Sequence, residues 1–188
     1  MTESSELPCA ASPVVRGRRA GRSDVDLVRA VRNDSRAAAE ELVARHWDGA
    51  YRIAFAILGD RHCAEDVTQE VMVSMLAKLG RFDSRREFGP WLHRIVSNRA
   101  LDWARSRARR EALPRSVAPS ASESGGDPDL TEALAALPPD QRTVVVLRHI
   151  GGYGTNEIAR MLGLRRGTVG SRLRRGLDQL RNELEDER

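Results

Sequence analysis

Between Arg165 and Arg181 the chain reads RRGTVGSRLRRGLDQLR, six arginines against a single acid, Asp178. A guanidinium carries five N–H donors in a rigid fork and stays charged at any physiological pH. It pairs two bonds at a time with a phosphate or with the O6/N7 edge of guanine. Such density offers recognition of a polyanion, duplex DNA above all; the plainer alternative is an amphipathic helix with a solvated basic face. A second basic run goes from Arg99 to Arg110, five arginines against Asp102, with Trp91 and Trp103 close by. Charge for a backbone beside planar groups for unstacked bases is what melted nucleic acid requires, although both tryptophans also suit a core. The opposite sign gathers in AEDVTQEVMVSMLAKL, residues 64–79, where Asp66, Gln69 and Glu70 fall three and four apart on one face. That cluster is either a solvated helix face or a patch offering charge-assisted hydrogen bonds to a basic protein.

Bond-making chemistry has little to stand on. The four histidines, His46, His62, His93 and His149, are scattered, and no HExxH, glycine-rich phosphate loop or nucleophile motif occurs. Cys9 and Cys63 lie far apart and in no CxxC pair, which points to a reducing cytosol and to neither a disulfide framework nor a structural zinc site. No enzyme activity, metal or cofactor is expected. The first twenty residues lack the apolar core of a signal peptide and no run reaches 18 apolar residues, so a cytoplasmic protein without membrane insertion is expected. A formal net charge of +4 and a pI near 9.8 suit an anionic partner, though the placement of the charge says more than its sum.

The elements that must hold these residues read as helices throughout. Residues 1–23, rich in Ser, Pro, Ala and Arg, have no periodicity and read as a disordered basic tail. Ser23 or Asp24 caps a helix carrying Leu27, Val28 and Val31, which Asn33 and Asp34 break. A long helix follows with Ala39, Leu42, Val43, Ala50, Ile53, Ala54, Ile57 and Leu58 at helical spacing, stopped by Gly59; His46 lies at the edge of that stripe. The acidic helix buries Ala64, Val67, Val71 and Met75 and ends at Gly80. A polar loop, 81–89, contains Phe82 and Phe88, and Pro90 opens the next helix from its first position. Residues 111–128, EALPRSVAPSASESGGDP, read as a flexible linker able to span roughly 60 Å. Beyond it Leu130, Leu134 and Leu137 open a second unit, Pro138-Pro139-Asp140 restarts a helix, and Val144–Leu147 reads as a buried helical segment. A short helix, Thr155–Leu162, then precedes a turn at Gly163 and a helix from Arg165 whose stripe is Val169, Leu173, Leu177, Leu180 and Leu184. Two helices, a tight turn and an arginine-studded second helix make a helix-turn-helix. The fold class is therefore all-α, two small helical domains over 24–110 and 129–188.

Three segments together carry a family resemblance: AEDVTQE, then FGPWLHRIVSNRALD, then ALPPDQRTVVVLRHIGGYGTNEIARMLGLRRGTVGSRLRRG. In that order and spacing the chain from about Asp24 to Leu184 resembles a bacterial extracytoplasmic-function (ECF) sigma factor. The resemblance implies promoter-specific transcription initiation, with core RNA polymerase (the β′ clamp coiled coil and the β subunit), promoter DNA and an anti-sigma factor as partners. It assigns Asp66, Gln69 and Glu70 to polymerase docking. It assigns Phe82, Arg85, Arg86 and Phe88 to the loop that captures a flipped −10 base, and Trp91, Asn98, Arg99, Arg105 and Arg107 to the border of the melted strand. Arg148, Arg166, Thr168, Ser171, Arg172, Arg174 and Arg175 fall where the family grips −35 DNA. A linker reach near 60 Å exceeds the roughly 50 Å of one and a half duplex turns. Several positions depart from the pattern. Gly170 stands where Lys or Arg is usual, Arg165 replaces Pro or Ser, Gly154 and Thr155 replace Ser and Tyr, Met72 and Leu76 replace aromatics, and Arg85-Arg86 makes the capture loop unusually basic. Without the resemblance, the alternative is a stand-alone helix-turn-helix regulator with a helical partner-sensing domain.

Overall fold

The computed structural model describes residues 22–111 and 128–186, whose regular structure is entirely helical. Residues 1–21 of the expected tail, residues 112–127 of the expected linker, and the last two residues lie outside that description. Eight α-helices follow in order: α1 Asp24–Arg32, α2 Arg36–Leu58, α3 Arg61–Lys78, α4 Phe88–Glu111, α5 Pro128–Ala136, α6 Pro139–His149, α7 Thr155–Leu162 and α8 Arg166–Asp186.

The helices start where short polar side chains can satisfy orphan N–H groups. The Ser23 hydroxyl accepts from the Asp26 amide, Ser35 from Ala38, and the Asp60 carboxylate from Cys63 at 2.9 Å. That last cap starts α3 three residues ahead of the expected Ala64. At the other ends, Gly59 (φ 68°) and Gly163 (φ 66°) turn left-handed, a conformation a side chain would strain. α4 begins at Phe88 rather than Pro90, because a proline inside the first turn withholds an N–H that has no helical acceptor anyway.

One apolar cluster joins α1–α4: Leu27 and Val28, Leu42, Ile53 and Ile57, Val67, Val71 and Met75, Leu92 and Val96, all almost fully buried. α6 explains how the later helices attach. Its run Val144–Leu147 points in all directions and is buried throughout. Val146 packs into the α1–α4 cluster, Val144 and Leu147 pack with Ile158, Met161 and Val169, and Val145 packs with Leu134 and Leu180. A helix apolar on every face is stable only as a central element, each buried valine contributing about 1.5 kcal/mol or more. The stripe of α8 is covered at Val169 and Leu180, half-covered at Leu173 and Leu177, and open at Leu184. Leu184 lies one turn beyond Leu180, which packs with Ala133 and Leu134 of α5. Leu130, at the start of α5, is also exposed.

Two arginines tie the scaffold together. Arg142 of α6 is buried and donates to the carbonyls of Ile57 (2.9 Å), Leu137 (2.9 Å) and Ala135, near the ends of α2 and α5. It thereby satisfies acceptors that helix termini leave orphaned, where the dipoles also favour a cation. Burial, with Arg107 nearby, lowers its pKa to about 10, which still leaves it charged at neutral pH. Arg32 of α1 donates to Leu79 O (3.0 and 2.8 Å) and to Phe82 O, pinning the chain between α3 and α4.

Two glycines of α8 separate by their surroundings. A Cβ at Gly170 would meet nothing within 4 Å, whereas one at Gly176 would lie 2.9 Å from Val145 Cγ2. Gly170→Ala should therefore stabilise the fold by roughly 0.5–1 kcal/mol, and Gly176→Ala should destabilise it by about 1–3 kcal/mol. Urea midpoints of the two variants should move in opposite directions.

Candidate nucleic-acid interface

α3 presents its acidic face outward. Asp66, Gln69 and Glu70 are exposed and line a shallow depression with Ser74 and Val73, whose side chain is 66% exposed. Glu70 does not stand alone: its Oε2 accepts from Arg99 Nη2 at 2.7 Å and Nε at 2.9 Å. The acidic face of α3 and the basic side of α4 thus meet in one ion pair. Between them runs a groove lined by Lys78, Arg81, Trp91, Arg94, Asn98 and Arg99.

The loop before α4 differs from expectation in its aromatics. Phe82 and Phe88 are each 3% exposed, inside the core rather than free to meet a base. Their rings stack edge to face at 5.5 Å, both lie against Trp91 (4.9 and 5.5 Å), and Phe88 also rests on His46. The physical reason is that the loop is short and anchored by Arg32, so large apolar rings fold inward. What remains outside is charge. Arg85 makes a two-bond pair with Asp83 at 3.0 Å each, and Arg86 lies 4.0 Å from the same carboxylate. The pair holds the Asp83 carboxyl below its ordinary range, through the Arg85 hydrogen bonds first. The loop is consequently less cationic than its sequence suggests.

Further along α4, Arg107 lies over the Trp103 ring at 5.8 Å from its centre, a cation–π contact. Asn98 donates to Arg94 O on its own helix and to Met161 O at the end of α7, 3.1 Å away. Arg105 pairs with Asp140 of α6 at 2.5 Å.

On the helix-turn-helix, Gly154 replaces the usual capping hydroxyl, and Glu157 compensates by reaching back to the Gly154 amide at 2.8 Å. The turn at Gly163 sends α8 off with Arg165, Arg166, Arg174 and Arg175 exposed and, among the described residues, without ion-pair partners. Thr168 and Ser171 are half-buried, the Ser171 hydroxyl donating to Thr168 O. Arg148 donates to Tyr153 O at 3.2 Å. Arg172 differs from its neighbours: it is half-buried and lies 3.2 Å from Asp140.

Sequence reasoning passed over Asp140, Tyr153 and His93. The Tyr153 hydroxyl lies 2.6 Å from His93 Nδ1, across from α4 to the segment that leads into α7. Burial, with the charge of His46 adding, pushes His93 down to about 4, and burial raises the Tyr153 phenol. With the ring neutral and the phenol protonated, the two share a single hydrogen bond. The only hint in the sequence was an unexplained histidine in a basic helix. Cys63 has its thiol pushed up to about 11, by burial and by Asp60, so it stays protonated and unreactive. Among the described residues no group of three potential metal ligands forms, and no helix is long and apolar enough to cross a membrane.

His93 sets a pH dependence. The unfolded ring takes its proton near 6.5 and the folded ring only near 4. The native state is thus at full strength above pH 6.5 and weakens as pH falls from 6.5 towards 4, where the unfolded chain binds the extra proton. Urea unfolding at pH 7 and pH 5 should differ by on the order of 1 kcal/mol, and His93→Gln should flatten that difference.

Residues 42–110 match the family model for Sigma-70 region 2 and residues 128–180 that for Sigma-70, region 4. RNA polymerase sigma factor CarQ of Myxococcus xanthus is 33% identical over 161 residues, covering 81% of this chain and 92% of CarQ. ECF RNA polymerase sigma factor SigE of Mycolicibacterium smegmatis is 39% identical over 160 residues, covering 77% of this chain and 61% of SigE. Among solved structures, CnrH in complex with the cytosolic domain of CnrY aligns with a TM-score of 0.66 at 28% identity, covering 88% of this chain and 99% of CnrH. The sigma factor RpoE of Bartonella quintana, in complex with the anti-sigma factor NepR, shares the fold at 23% identity and a TM-score of 0.64, covering 79% of this chain and 98% of RpoE.

Proposed function

We propose a division of labour among the surfaces of this chain, which belongs to the extracytoplasmic-function RNA polymerase sigma factors. As a member it is an alternative sigma factor: it binds core RNA polymerase and directs initiation at particular promoters. The outward face of α3, with Asp66, Gln69 and Glu70, is the docking surface for core polymerase, its carboxylates receiving arginines of the clamp coiled coil. The groove beside α4 takes the melted −10 strand, using Arg85, Arg86, Trp91, Asn98, Arg99, Arg105 and Arg107. Capture of an unstacked base falls to Trp91 and the loop arginines, since Phe82 and Phe88 belong to the core. α8 enters the major groove at −35 with Arg166, Thr168, Ser171, Arg172, Arg174 and Arg175, and Arg148 supports it from α6.

The observation that carries this reading is the separation of charge by surface. An exposed acidic face on the matched region 2 stands apart from an exposed set of unpaired arginines on the matched region 4. A carboxylate face repels DNA and attracts a basic protein, while unpaired guanidinium groups do the reverse. The chain acts by positioning and carries out no bond-making step itself. It works in the cytoplasm, where its polymerase is. CnrH was solved with the cytosolic domain of a second protein, and we propose an anti-sigma factor as the third partner of this chain as well.

The docking assignment has a clean separation test. Asp66→Lys with Glu70→Lys should weaken co-elution with core polymerase by at least about tenfold and abolish promoter-specific runoff transcripts. Binding of duplex DNA by the variant chain, measured by fluorescence anisotropy, should not fall. Equal loss of both activities would overturn the assignment.

A further inference from the structure

Glu70 faces two ways. It lines the acidic depression with Asp66 and Gln69, and it also lines the groove beside α4 with Trp91, Asn98 and Arg99. On the groove side Arg99 Nε donates to Glu70 Oε2 at 2.9 Å, and Nη2 lies 2.7 Å from the same oxygen. The Glu70 hydrogen bond is the first cause that raises the Arg99 pKa above its ordinary value, ahead of a lesser charge effect from Asp102. The other cations of the groove, Lys78, Arg81 and Arg94, have no ion-pair partner among the described residues. One arginine in this basic groove is therefore compensated and its neighbours are bare.

We propose that Glu70 is a positioning residue that makes Arg99 a reader of a base rather than a grip on phosphate, so that the pair selects the base at one position of the melted strand. The proposal rests on the reading of this groove as the site of that strand, and deepens it. A phosphate is drawn by net charge, whereas a base edge is neutral and is drawn by N–H donors in the right places. The Glu70 carboxylate leaves the pair without net charge and takes up the Nε side of the guanidinium. What remains is the outer Nη1–Nη2 edge, a planar fork that fits two adjacent acceptors. Guanine offers such a pair in O6 and N7, and an unpaired cytosine in O2 and N3; adenine and thymine offer none. Lys78, Arg81 and Arg94 are left to hold the backbone.

The exposure of the pair suits this role. The Arg99 and Glu70 side chains are 42% and 55% exposed, so water screens the pair in the open groove and a strand can reach it. A strand lying there displaces that water and strengthens the pairing. Both contacts to Arg99 use Oε2, so docking and positioning draw on different oxygens of one carboxylate.

The test uses the full chain loaded on saturating core polymerase, with loading checked by co-elution, and a pool of single-stranded DNA randomised over ten positions. Wild type should enrich guanine or cytosine over adenine and thymine by at least about fivefold at one position. Arg99→Ala and Arg99→Lys leave the docking face intact, and both should erase that enrichment; the lysine keeps the charge but lacks the fork. Arg99→Ala should leave the salt dependence of binding unchanged. Glu70→Gln should weaken the enrichment and steepen the salt slope by about 0.7, the share of one newly gripped phosphate on a single strand. Asp66→Asn, on the docking face alone, should alter neither reading once loaded. Enrichment that survives Arg99→Ala, or a uniform loss across sequences with a shallower slope, would overturn the proposal. So would a Glu70→Gln chain with wild-type enrichment and slope. Arg94→Ala with Lys78→Ala separates the two readings: strand binding indifferent to that pair would sink the groove assignment itself, while a shallower slope there would uphold the groove whatever Arg99 shows.

Discussion

A guanidinium cannot shed its charge on burial and has no acceptor of its own, so wherever Arg142 sits it must find carbonyl oxygens with nowhere else to go. Helix ends supply them. Ile57 O, Ala135 O and Leu137 O are such acceptors, and gathering them on one side chain brings the last turn of α2, the end of α5 and the start of α6 to one point. The rest follows from this placement. With α6 fixed there, its four-residue apolar run reaches three clusters at once, and α7 and α8 hang from it. A lysine could not span three acceptors in this way, since a point charge lacks the planar fork.

Nine of the arginines fall into three groups by what they touch. Arg32 and Arg142 bond backbone carbonyls and hold loops and helix ends. Arg85, Arg99, Arg105 and Arg172 face Asp83, Glu70 and Asp140. Arg166, Arg174 and Arg175 have no such partner among the described residues. A count of basic residues therefore overstates the positive field available to nucleic acid, and the field is strongest on α8. The loop around Arg85 makes the point: one well-placed aspartate offsets much of what looks in the sequence like an unusually cationic capture site.

Much of the architecture was legible because caps and stripes are local. Ser23, Gly59 and Gly163 mark helix ends within a residue, and the Val144–Leu147 run declared itself a buried helix by its flanks. The first turn of α3 was missed because Asp60 caps it from beyond the apolar pattern, and Leu184 was misread because a stripe does not say how far its partner extends. The aromatic loop residues were misread for a similar reason. Phenylalanine at a recognition loop and phenylalanine in a core look alike until the length of the loop and its anchor at Arg32 are known. Asp140, His93 and Tyr153 were illegible in principle: their partners lie 35 and 60 residues away, and nothing in a local pattern reports such a pairing.

Val146, finally, makes the contact between α6 and the α1–α4 core partly a matter of water. It is fully buried in that core, with Ile150 packed alongside. Parting the helices would hydrate both, and hydration of apolar surface carries a positive heat capacity. The balance between joined and parted forms must then curve with temperature, loosening in the cold as well as in the heat.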